Sequence, residues 1–116
     1  MNIITTIPKH KYASYAELEY VLRHTDGAEG GFWLVNTKTL PKQCRVGEHC
    51  YMVYDGQVRG YFTIVDMDWS ENYRKLHRIG KRRTTRCIVL ANWVPIPAQP
   101  HVGFQGYRYT ALNPLS

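Results

Sequence analysis

Lys38 followed directly by Thr39 is the pair of residues best suited to covalent chemistry. A desolvated lysine gives up its proton more readily and can take one from a neighbouring hydroxyl, which would make Thr39 a nucleophile. The same pair equally suits a lysine holding a phosphate beside a threonine making a turn hydrogen bond, or a plain exposed loop. Asn36, two residues earlier, joins them as a candidate ligand contact.

A second set of residues mixes cations with aromatic rings. Arg59 and Tyr61 alternate along one stretch, and Tyr107, Arg108 and Tyr109 are consecutive in another. Guanidinium planes bind phosphates bidentately and also stack on bases, so this mixture fits a nucleic-acid surface, although ordinary cross-strand packing uses the same residues. Trp93, beside Asn92 and shortly before Pro95, is expected at a strand end where a base could stack on it. Trp33, inside an apolar run, reads as core, and Trp69 falls between the two.

The strongest concentration of charge is Arg74, Lys75, His77, Arg78, Lys81, Arg82, Arg83 and Arg86, with no acidic residue between Asn72 and Asn92. Crowded like charges repel, and a polyanion would relieve that repulsion. The segment is therefore expected to form a phosphate-binding strip, with a solvated loop as the alternative. The five histidines are scattered without ligand spacing, so no metal site is expected. Phosphate loops, nucleophile elbows and dinucleotide fingerprints are missing from the sequence, and no cofactor is expected.

These residues need a scaffold, and the pattern predicts one rich in strands. The β-branched start, residues 2–7, predicts a strand that Pro8 ends. Ser14 with Glu17 forms a capping box. Leu18, Val21 and Leu22 supply an apolar stripe with Tyr15 above it, Glu19 and Arg23 can pair, and Asp26-Gly27 stops the helix. Strands are predicted over 32–35, 50–54, 57–67, 87–91 and 104–110. Asp55-Gly56 makes a tight hairpin of the second and third of these. Alternation along 57–67 puts Val58, Phe62 and Ile64 on the core face, with Arg59, Tyr61 and Thr63 on the other. Pro95 and Pro97 are expected to end the strand over 87–91, and Tyr73, Leu76 and Ile79 permit a short helix in the basic segment. Five or six strands with one or two covering helices predict a small α+β barrel, because curling into a barrel removes exposed sheet edges.

At 116 residues, 44% hydrophobic and 21% charged, the chain fits one domain spanning 1–116 with a single core. Cys44, Cys50 and Cys87 are an odd number without a C-x-x-C pair, so buried thiols are expected rather than disulfides. No apolar run is long enough to span a bilayer and the start lacks signal-peptide character, which predicts a cytoplasmic protein that does not bind membranes. A formal net charge of +6 makes a polyanion a natural partner.

Val46-Gly-Glu-His-Cys-Tyr-Met-Val-Tyr54, then Asp55-Gly56, then Val58-Arg-Gly-Tyr-Phe62 resembles the central hairpin of ASCH-type PUA-like domains. Asn36-Thr-Lys-Thr39 is similar to the ASCH segment that lines the ligand cleft, and Gly103-Phe-Gln-Gly-Tyr-Arg-Tyr109 is similar to the last barrel strand of EVE and related domains. The resemblance covers residues 31–110 and implies a PUA-like barrel with a ligand cleft at its mouth. Some ASCH proteins are amidohydrolases of acylated cytidine that use a Lys, a Thr and a Glu. Lys38 and Thr39 match two of these in type. Asn36 stands where the pattern has Gly, Pro41 and Lys42 stand where it has an acidic residue, and Glu48 sits at a strand entrance.

The expectation is therefore a nucleic-acid-binding module for RNA, or a modified nucleotide, with RNA favoured over DNA. Asn36, Lys38, Arg59 and Trp93 would take a base or nucleotide, and the basic strip would grip the backbone. An amidohydrolase of acylated nucleosides and a basic domain that docks an acidic protein are the alternatives.

Overall fold

Short β-branched runs separated by turns can bury an apolar face only by pairing edge to edge, and the chain does this six times. The computed structural model describes residues 1–25, 31–69 and 85–112. Its strands are β1 (Asn2–Thr6), β2 (Trp33–Thr37), β3 (His49–Tyr54), β4 (Gln57–Trp69), β5 (Arg86–Pro100) and β6 (Tyr107–Thr110), with one helix, α1 (Tyr15–Arg23), between β1 and β2. They form one sheet in the order β2-β5-β4-β3-β1-β6. β1 and β3 run parallel, and every other pair is antiparallel. The sheet curls into a half-barrel with α1 packed on it, an α+β arrangement compatible with the small barrel expected from the sequence but with β2 and β6 left as unpaired edges among the described residues. Among the described residues no helix is long and apolar enough to cross a membrane. The possible second helix lies outside the described residues.

Local signals are met closely at α1 and at the hairpin. Ser14 Oγ accepts from the Glu17 N–H at 3.3 Å, Glu19 pairs with Arg23 at 3.5 Å, and Leu18 and Leu22 are fully buried. Val21 lies at the rim and is exposed, and the helix ends at Arg23, three residues before Asp26. Asp55 and Gly56 join β3 to β4 with φ of 51° and 73°, the left-handed geometry that a two-residue hairpin demands.

The main core gathers Ile3, Leu18, Leu22, Cys50, Met52, Phe62, Ile64, Ile88 and Leu90, and Trp33 and Trp93 pack against it. A second, smaller cluster on the other face holds Ile4, Tyr51, Val53 and Val58, with Tyr61, Ile96 and Phe104 beside it. The three cysteines are buried free thiols. Burial pushes the Cys44 thiol up to about 11 and raises that of Cys50 further.

Two elements depart from the sequence reading. Arg59 has no partner in either neighbouring ladder: Met52 faces Gly60 and the next pair is Val53 with Val58, while on β5 the register steps from Gln99 to Pro95. This bulge shifts the alternation by one residue. Val58 consequently joins the smaller cluster, away from Phe62 and Ile64, and Arg59 and Tyr61 end on opposite faces. β5 also continues through Pro95 and Pro97 to Pro100 instead of ending before them. β2 pairs only with residues 86–90, so the later half of β5 has a free edge, where a missing N–H leaves no ladder bond unmade.

Candidate functional site

Strand register brings the ends of β4 and β5 together. Trp69, the last residue of β4, faces Arg86, the first of β5. β2 pairs with the same end of β5, Thr37 opposite Arg86, and so delivers the residues that follow it to the same place. The result is a concavity of about 560 Å³ whose lining includes Lys38, Thr39, Lys42, Met67, Trp69 and Arg86. The Arg86 guanidinium lies over the Trp69 indole at 4.6 Å, and Trp69 remains 42% exposed. Lys38, Lys42 and Arg86 form no ion pair among the described residues. An adjoining recess of about 140 Å³ includes Asp68, whose carboxylate accepts from the N–H of Trp69 at 2.7 Å.

The loop after β2 is held from both ends. Thr37 Oγ1 donates to the Thr39 carbonyl at 3.0 Å, which closes a tight turn around Lys38. From the far edge of the sheet, the Tyr107 hydroxyl donates to the same carbonyl at 2.8 Å, and the Tyr109 hydroxyl accepts from the Gln43 N–H at 2.9 Å. Side chains of β6 thus fix the loop that carries the two lysines. Burial raises the Tyr107 phenol above its ordinary value.

The predicted site residues separate into groups. Lys38, Thr39 and Arg86 do meet in the concavity. Lys38 and Thr39 are both exposed, so the desolvation that a nucleophilic pair needs is not provided there. Asn36 is exposed on β2 opposite Cys87. Trp93, expected at a strand end, lies inside β5 because that strand runs on. Its indole covers Gly60 and meets the Phe62 ring at 5.0 Å. Its Nε1 has no hydrogen-bond partner among the described residues.

Arg59 stacks on Tyr15 of α1 at 4.2 Å and donates from Nε to the Tyr54 carbonyl at 3.2 Å. Tyr61 lies on the other face against His49 at 4.4 Å. Arg108 covers Phe104 at 4.4 Å and falls in one cross-strand row with Ile4, Tyr51 and Tyr61, on the same face as Tyr61 but three strands away, whereas Tyr107 packs against the main core on the other face. Glu48 accepts from the Arg45 N–H and the Met1 ammonium, both at 2.9 Å, and does not line the concavity. Arg74, Lys75, Arg78, Lys81, Arg82 and Arg83 lie outside the described residues.

Sequence reasoning missed Lys42 and underrated Trp69. The available signal was a tryptophan closing the alternation of β4 just before a basic run. Its pairing with Arg86 depends on register and has no local signature. Among the described residues, no three His, Cys, Asp or Glu side chains are grouped so as to hold a metal ion. Comparison with known proteins finds no matching family model, curated protein or solved structure.

Proposed function

We infer that the chain is a nucleic-acid-binding module of the PUA-like type, and that the concavity between the ends of β2, β4 and β5 is where it takes its ligand. One observation carries the reading: an exposed indole topped by a guanidinium and flanked by two lysines, none of the three cations in an ion pair among the described residues. Such a site offers a π-face for a base and cations for the adjoining phosphates. The net charge of +6 and the basic residues of the 74–83 stretch, joined covalently to this end of the sheet, add attraction for a polyanion. The curled sheet with one helix is compatible with a PUA-like barrel, which the hairpin resemblance first suggested.

The test is a fluorescence-polarisation titration with single-stranded and duplex RNA and DNA at about 50 and 200 mM salt. Binding should weaken with salt, with a log–log slope of about −2 from three phosphate contacts to a single strand. Trp69→Ala should lose about 1–3 kcal/mol of affinity, the worth of one stacked base. Absence of salt-dependent binding to all four ligands overturns the reading. A hydrolase reading keeps only the adjacency of Lys38 and Thr39 in the concavity, and deacylation of acylated cytidine that Lys38→Ala abolishes would revive it.

A further inference from the structure

The concavity is not the only place where cations and rings meet, and another, at Arg59, lies at the opposite end of the face of the sheet on which α1 packs. Strand directions settle the geometry. β1 runs parallel to β3 and β5 runs antiparallel to β4, so the end of β1, the β3–β4 hairpin and the start of β4 share one end, whereas Trp69 and Arg86 share the other. At the first end Arg59 lies flat on Tyr15, with Tyr54 5.9 Å away. Arg59 makes no ion pair among the described residues, and its Nε bond to the Tyr54 carbonyl fixes the plane of the fork. The bulge at Arg59 turns it to this face, so the site exists only because of that irregularity.

The two ends are linked along β2. Trp33 and Val35 line a cavity of about 190 Å³ whose far wall includes Thr6, Lys11 and Tyr12, so the curl of the sheet sets β2 across from β1. Tyr12 continues the path, because its carbonyl accepts from the Tyr54 hydroxyl at 3.4 Å, beside the ring that Arg59 approaches. Residues 38 and 39, immediately after β2, belong to the first concavity. Lys38, Trp33, Lys11, Tyr12 and Arg59 therefore follow one another along a seam. The five residues of β2 span about 17 Å at 3.3 Å each. That stretch alone matches about five nucleotides at a stacked rise of 3.4 Å, and the distance from the level of Trp33 to Arg59 adds to it.

We propose that this seam is an extended track for single-stranded nucleic acid, running from the Trp69–Arg86 concavity past the Trp33 cavity to the Arg59–Tyr15 stack. The inference rests on the nucleic-acid reading above and adds strandedness, length and further phosphate contacts at Lys11 and Arg59. A duplex keeps its bases stacked inside and cannot present them to rings spaced along a groove, whereas a single strand can.

The experiment is a length series of uniform oligonucleotides, RNA and DNA, of three, five, eight and twelve residues, titrated against the unmutated protein, Arg59→Gln and Lys11→Ala. Affinity should rise from the trimer to the octamer and then level off. Arg59→Gln should weaken the octamer about tenfold, the size of one charge-assisted contact, and leave the trimer unchanged. Each lost contact should reduce the salt slope by about 0.7. Lys11 is exposed, so its variant tests the same track without removing a packed side chain, and melting curves of both variants separate unfolding from loss of contact. If oligonucleotides bind with an affinity indifferent to length beyond three residues and to both substitutions, the track is refuted while the concavity survives. If none binds at any length, the nucleic-acid reading itself fails. Duplex binding as tight as the octamer also overturns the track.

Discussion

Gly60→Ala should destabilise the protein far more than an added methyl group ordinarily does. A Cβ built at Gly60 meets the Val94 carbonyl oxygen and, at 2.6 and 2.7 Å, the Cζ2 and Cη2 atoms of Trp93. The carbonyl belongs to a paired strand and cannot rotate away, and the indole is held between Gly60 and Phe62. Overpacking costs about 1–3 kcal/mol, and a backbone obstacle places this case near 3. Alanine recovers about 0.5–1 kcal/mol of the strand-interior penalty of glycine, which leaves a net loss of about 2 kcal/mol. With an unfolding entropy of roughly 2.1 cal/mol/K per residue over the whole chain, the Tm should fall by about 8 °C. Thermal and urea denaturation followed by circular dichroism measure the loss directly. Trp93→Phe removes the two indole atoms but leaves the carbonyl, so the double variant should be less destabilised than the summed singles by about 1 kcal/mol. A Gly60→Ala protein as stable as the parent, or strict additivity with Trp93→Phe, would refute the claim that Trp93 is packed onto that glycine.

Three further outcomes follow from the same contacts. Ser14→Ala should cost about 1 kcal/mol in urea denaturation because it leaves the Glu17 N–H without its cap, whereas Ser14→Asp should retain most of the stability. Gly56→Ala, at a φ of 73°, should cost about 1–2 kcal/mol, and Gly56→Asn should cost less because Asn tolerates that region; equal losses would argue against the hairpin geometry. The buried Cys44 thiol, raised from 9.0 to about 11, ionises earlier in the unfolded chain than in the folded one. Stability should therefore be unaffected below about pH 8 and fall as pH rises through 9 to 11, and a Cys44→Ala variant should show a shallower fall. Rapid alkylation of all three thiols in the native protein at pH 8 would contradict their burial.

The predictable parts of the fold were those whose causes are local. The capping serine, the i,i+4 pair on α1 and the Asp55-Gly56 turn all act within four residues, and each is found where the pattern put it. The face assignments of β4 held only beyond the bulge. Nothing in Val58, Arg59 or Gly60 as residue types announces that one of them will be left out of two ladders. The cause lies in β3 and β5, including the Trp93 ring that requires Gly60. Proline as a strand breaker misled at Pro95 and Pro97, because its cost depends on whether a neighbouring strand needs the N–H. For the candidate site, residue type alone singles out Lys38, Thr39 and Arg86, but their meeting with Trp69 and Lys42 is not readable from spacing.

By itself, then, the sequence determined that the chain would be a basic, strand-rich domain with one capped helix, a tight hairpin, free thiols and an excess of cations. Periodicity, caps and charge are properties of residues and their near neighbours. Only the tertiary structure decided which cations share a surface: register joins Trp69 to Arg86, β2 adds Lys38, and a single bulge turns Arg59 toward Tyr15 and away from Tyr61. Pairing between residues 17 positions apart, as at Trp69 and Arg86, is selected by the packing of the whole sheet, and no local preference encodes it.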